Sequence, residues 1–107
     1  MTVYIASRHE GAIKWLQKHG YTGIIRTSWT KQRTEELGPE DIVVGNLPIY
    51  VIDKILKRGA KMILIGIPGW SSEKRQETER ELTAEELEKK GAYLTEIKKI
   101  VMVPIEL

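Results

Sequence analysis

Val3-Tyr4-Ile5-Ala6-Ser7-Arg8-His9-Glu10-Gly11-Ala12-Ile13 changes character twice within eleven residues. Val3 to Ala6 is short, apolar and rich in strand formers, so a first strand is expected over about Thr2 to Ala6. Beyond the corner, Ala12, Trp15, Leu16 and His19 take the i, i+3, i+4, i+7 spacing of one helix face, and the helix is expected over His9 to Lys18. Ser7 is positioned to cap it, and Glu10 three residues on completes a capping-box spacing. A helix start exposes amide hydrogens and the positive end of the dipole, both of which favour anions. Arg8 adds a planar fork suited to phosphate, and His9 adds a group that moves a proton near neutral pH. The corner therefore points to a phosphate ligand or a phosphodiester.

The rest of the chain repeats the alternation. Gly20 closes the first helix, and Gly23 to Ser28 reads as a second strand. Thr30 to Glu40 is polar and reads as a loop or one irregular helical turn. Asp41 to Asn46 is a third, central strand, and Pro48 suits the start of a second helix. That helix buries Val51, Ile52, Ile55 and Leu56 and ends at Arg58-Gly59. Lys61 to Ile67 is a fourth strand, broken by Pro68-Gly69-Trp70. The charge run Glu73 to Glu81 reads as a solvated loop, a lid or the exposed start of a helix. Thr83 and Glu86 form another capping box, with Leu82 and Leu87 at staple spacing, and a third helix is expected from Thr83 to near Ile97. Ile100 to Pro104 is expected as a last, edge strand because of Pro104. Alternation of this kind predicts a single α/β domain over residues 1–107, Rossmann-like, with a mostly parallel sheet of about five strands and helices on both faces. Ligands then bind beyond the carboxyl ends of the strands. Three corners reach that rim: Ser7-Arg8-His9, Asn46-Leu47-Pro48 and Pro68-Gly69-Trp70.

Composition narrows the classes. The 107 residues carry a net charge of only +2, and cysteine is absent, which excludes disulfides and thiol catalysis. Charge is uneven: residues 1–67 hold ten Lys/Arg against six Asp/Glu, whereas residues 68–107 hold seven against nine. The first part suits a small anion, without the basic tract that coats long nucleic acid. No apolar run spans a bilayer and no leader pattern opens the chain, so no membrane contact and a cytoplasmic location are expected. The acidic run offers no His or Asp at ligand spacing, so neither metal nor cofactor is expected.

Arg8-His9-Glu10-Gly11-Ala12-Ile13-Lys14-Trp15 resembles the Arg-His-x-Gly-Ala-x-x-Trp signature of a small family of CRISPR-associated proteins that accompany type III systems. Asp41 to Pro48, Arg58-Gly59-Ala60, Arg80 to Leu87 and Gly91 to Leu94 follow in the family's order. Thr27-Ser28-Trp29 lacks a histidine expected there, and Asn46 stands where threonine is commoner. Such proteins look like reduced relatives of the CARF-like domains that bind cyclic oligoadenylates. The resemblance implies a homodimeric ring nuclease that opens cyclic tetra-adenylate and switches off antiviral signalling.

Ring opening by 2′-hydroxyl attack needs alignment, charge stabilisation and a proton for the leaving oxygen. Arg8 and His9 are the candidate catalytic residues. Ser7, Asn46, Leu47, Pro48, Gly69 and Trp70 are the candidate ligand-binding residues, with Trp70 able to stack on adenine. Plainer readings stand beside these: Ser7, Glu10 and Asn46 as caps, Arg8 and His9 as solvated helix-start residues. At the level of the whole chain, the alternatives are a module that holds the same ligand without cutting it and a protein-interaction subunit.

Overall fold

The computed structural model describes residues 1–68 and 82–107. β1 (Val3–Ala6) leads into α1 (Glu10–Lys18), and β2 (Ile24–Arg26) leads into α2 (Lys31–Glu35). β3 (Ile42–Gly45) precedes α3 (Ile49–Lys57), and β4 (Lys61–Gly66), α4 (Ala84–Lys89) and β5 (Tyr93–Ile97) follow. The strands form one sheet in the order β2-β1-β3-β4-β5. The first four are mutually parallel, and β5 runs antiparallel to β4. This is the expected α/β, Rossmann-like architecture.

Strand alternation divides the core into two layers. Ile5, Val44 and Ile63 face α1 and α4, where they meet Trp15, Leu16, Ala84 and Leu87. Ala6, Val43 and Met62 face the other way, against Ile52 and Ile55 of α3 and Leu37 after α2. Fully burying one such aliphatic side chain contributes about 1.5–3 kcal/mol, so each layer holds its helices largely by apolar contact.

Contact between α1 and α4 is unusually close. A Cβ on Gly11 would lie 1.9 Å from the Leu82 carbonyl oxygen, so the start of α1 rests directly on the backbone that leads into α4. There the capping box is complete: Thr83 Oγ1 accepts from the Glu86 amide at 3.1 Å, and Glu86 Oε1 accepts from the Thr83 amide at 3.3 Å. Further along, Trp15 Nε1 donates to Glu88 Oε2 at 2.7 Å, and His19 Nε2 lies 2.9 Å from the same oxygen. Lys18 pairs with Glu85 at 3.3 Å. Hydrogen bonds from His19 and Trp15 hold the Glu88 carboxyl below the usual carboxylate range. The Glu85 carboxyl is lowered by its own amide in the first turn of α4 and by Lys18.

Two expected elements near the end of the chain fail. The third helix stops at Lys89, because Gly91 takes a left-handed φ of 75° and the Ala92 amide bonds back to the Leu87 carbonyl at 3.0 Å. Leu94 and Ile97 sit three apart and mimic a helix stripe. In β5 they face opposite layers, Leu94 beside Ile65 and Ile97 beside Met62. The last strand is therefore Tyr93–Ile97, whereas residues 100–104 form no strand: Ile100 packs on the α3 layer and the chain beyond it is exposed. The polar segment Thr30 to Glu40 contains one short helix, capped by the Thr30 hydroxyl.

Candidate functional site

In a sheet ordered 2-1-3-4-5 the winding reverses between β1 and β3, and sheets of this kind bind ligands beyond the carboxyl ends of those strands. Register places Ala6 beside Gly45, so the Ser7-Arg8-His9 and Asn46-Leu47-Pro48 corners emerge as neighbours. Gly45 makes this approach possible. Its φ is 154°, and a Cβ there would lie 2.2 Å from the Ala6 carbonyl oxygen.

The first corner differs in detail from the capping expectation. His9, not Ser7, is the N-cap of α1, and no described side chain caps that helix. Ser7 Oγ instead accepts from the His9 amide at 3.1 Å, a local turn two residues long. Glu10 turns away to pair with Lys14 at 3.0 Å. The first-turn amides of α1 are thus left without a side-chain cap, beside an Arg8 that is exposed and makes no ion pair among the described residues. Uncapped amides and a guanidinium on one rim give positive potential with open geometry. His9 stands exposed at the same turn.

The second corner is anchored from β4. Asn46 Oδ1 accepts from the Ile65 amide at 3.2 Å, taking over a donor that the β3 backbone leaves when it diverges after Gly45. Asn46 is exposed, and its side-chain NH2 donates to no described residue. Asn46 does not cap α3; Pro48 is the N-cap, and its carbonyl accepts from the Val51 and Ile52 amides, both at 3.0 Å. Leu47 packs into the α3 layer, so only its backbone is offered to the rim. Pro68 is exposed after β4, while Gly69 and Trp70, with the run 73–81, lie outside the described residues.

One rim residue escaped the motif reading. Arg26 ends β2 in register with Ala6, and its guanidinium lies over the Tyr4 ring, 5.9 Å from the centroid. Its Nε is buried without a hydrogen-bond partner. Trp29 packs edge-on against the same tyrosine at 5.9 Å, and its Nε1 donates to Thr34 at 2.8 Å. An arginine closing a strand has no spacing signature; only its alignment with Ala6 brings it to this rim.

Fold and rim together define a Rossmann-like α/β domain with Arg8 and Arg26 at the rim beside the switch point of its sheet. The profile of the Cas_VVA1548 family, described as a putative CRISPR-associated protein, matches residues 4–100. The chain belongs to that family. No curated protein and no solved structure matches it. No helix of the described residues is long and apolar enough to cross a membrane.

Proposed function

We propose that the protein is a ring nuclease that binds cyclic tetra-adenylate in the β1/β3 crevice and opens it without a metal ion, ending a type III CRISPR signal. One observation supports this above the others: the Arg8-His9 corner and the Asn46 corner stand side by side at the switch point. In the reaction, a ribose 2′-hydroxyl attacks its adjacent 3′ phosphorus, and the bond from phosphorus to the 5′ oxygen breaks. The products are a 2′,3′-cyclic phosphate and a 5′-hydroxyl. The 2′-hydroxyl proton passes to water, and His9 as imidazolium protonates the leaving 5′ oxygen. Arg8 and the α1 amides stabilise charge on the phosphoryl oxygens as it builds. The Asn46 NH2 hydrogen-bonds the ribose or an adenine edge. A homodimer presents two such corners to a ligand of matching twofold symmetry.

Labelled cyclic tetra-adenylate incubated with the protein in EDTA tests this reading. Linear products bearing a 2′,3′-cyclic phosphate are expected. Arg8→Ala should slow their appearance by about 10²–10³-fold and His9→Ala by about 10²–10⁴-fold. Tight binding with an intact ring would replace the nuclease reading by the sequestering module. Absence of binding to any cyclic oligoadenylate would refute both.

A further inference from the structure

The segment after Ile100 has the pattern of a strand but no sheet. Val101, Val103, Ile105 and Leu107 alternate with Met102, Pro104 and Glu106. In extended conformation the first set shares one face. Val101, Val103 and Ile105 are 73%, 77% and 82% exposed, and Leu107 is fully exposed. An unbroken apolar row of this kind is costly to leave in water.

An acceptor for such a strand exists at the opposite edge of the sheet. β2 pairs with β1 on one side, and among the described residues nothing pairs with its other side. Ile24 and Ile25 are 43% and 42% exposed, one on each face of the sheet, because their partners Tyr4 and Ile5 face opposite layers. An edge strand with open amides and carbonyls and apolar flanks is a template for strand addition.

The two features cannot meet within one chain. From β5 to a position outside β2 is five strand spacings, about 24 Å. The four steps from Ile97 to Val101 reach at most about 14 Å, and Ile100 is held in the α3 layer along the way. Folding back onto β5 would need a tight turn through Lys98-Lys99-Ile100, which offers no glycine, asparagine or proline. We infer that residues 101–107 form an exchange arm that adds as a strand to β2 of a second copy of this chain, reciprocally about a twofold axis.

Pro104 fits this arrangement. Amides of alternate residues in a strand point to the same side. When the odd-numbered residues bond to β2, the amide that Pro104 lacks falls on the outer side. The added strand then ends the sheet at that edge, so no further copy pairs beyond it. The arm leaves the sheet at the end away from the crevice, because Ile97 aligns with Met62 near the start of β4. It therefore stands or falls independently of the ligand.

Sedimentation velocity on the full chain and on a chain ending at Ile100 is the test, with circular dichroism to confirm folding. A second variant, Val103→Glu with Ile105→Glu, keeps the chain length should the shortened chain unfold. The full chain should sediment as a dimer and both variants as folded single copies. Backbone amides of β2 should exchange more slowly in the full chain than in either variant. Arg8→Ala should remain dimeric, which separates this outcome from any failure of ring binding. A full chain of single-copy mass overturns the inference. So does a dimer that survives both arm variants, or an arm-dependent dimer in which β2 exchange is unchanged.

Discussion

Gly11→Ala sets two effects of opposite sign against each other. Alanine is favoured over glycine within a helix by about 0.5–1 kcal/mol, and Gly11 lies in α1, so local propensity alone predicts a more stable protein. Against this, the new Cβ would stand 1.9 Å from the Leu82 carbonyl oxygen and 3.0 Å from the Thr83 Cα. Both are backbone atoms, so no rotamer change relieves the overlap. Ordinary contact begins at 3.4 Å, and α1 would have to retreat by about 1.5 Å. Overpacking of this sort costs about 1–3 kcal/mol, and retreat also stretches the 2.7 Å Trp15–Glu88 hydrogen bond one turn further on. The balance is a net loss of about 1–2 kcal/mol. For a domain of this size that lowers Tm by about 4–16 °C. Thermal and urea unfolding read the effect, with the urea midpoint falling while the slope is unchanged. The same retreat moves Arg8 and His9 at the head of α1, so the cleavage proposed above should fall more than stability alone explains. A Gly11→Ala protein as stable as the parent, or more so, would refute the claim that α1 and α4 meet backbone to backbone.

Asn46 separates structure from ligand contact. Asn46→Ala orphans the Ile65 amide and should cost about 1 kcal/mol in urea unfolding. Asn46→Asp keeps the acceptor and the stability, yet places a negative charge at the rim proposed to hold phosphate and should weaken the proposed ring binding about tenfold or more by calorimetry. The α1–α4 contact should also depend on pH. Glu88 has a carboxyl held low in the folded state, so its contribution is present above the unfolded carboxylate value of about 4.5 and is lost as pH falls through the lower folded value. Glu88→Gln should flatten the loss of Tm in that acid range, and an unchanged acid profile would exclude this carboxylate as its source.

The strand–corner–helix of residues 3–18 was legible because its signal is local: a strand run, a change of period and a glycine stop. Thr83 and Glu86 were legible for the same reason, since a capping box spans four residues. Beyond that range pattern reading failed. Leu94 and Ile97 fit a helix stripe as well as a strand, and Gly91 decided between them through its backbone. Ser7 has the chemistry of a cap, yet His9 occupies that position, because the turn at Ser7 adds two residues before the helix begins. The partner of Asn46 is nineteen residues away on β4, and Arg26 reaches the rim through its register with β1; neither is written in any local spacing.

Among the described residues, each layer carries one tryptophan whose indole hydrogen is spoken for. Trp15 donates to the Glu88 carboxylate in the α1/α4 layer, and Trp29 donates to the Thr34 hydroxyl in the α2/α3 layer. Indole protons resonate apart from backbone amides, so the two halves of the sandwich have separate built-in reporters in a single NMR spectrum. Exchange of the Trp15 proton times the parting of α4 from α1, and that of Trp29 times the loosening of the turn above Tyr4. A protein that opens one layer before the other would show it as two rates, without any label being introduced.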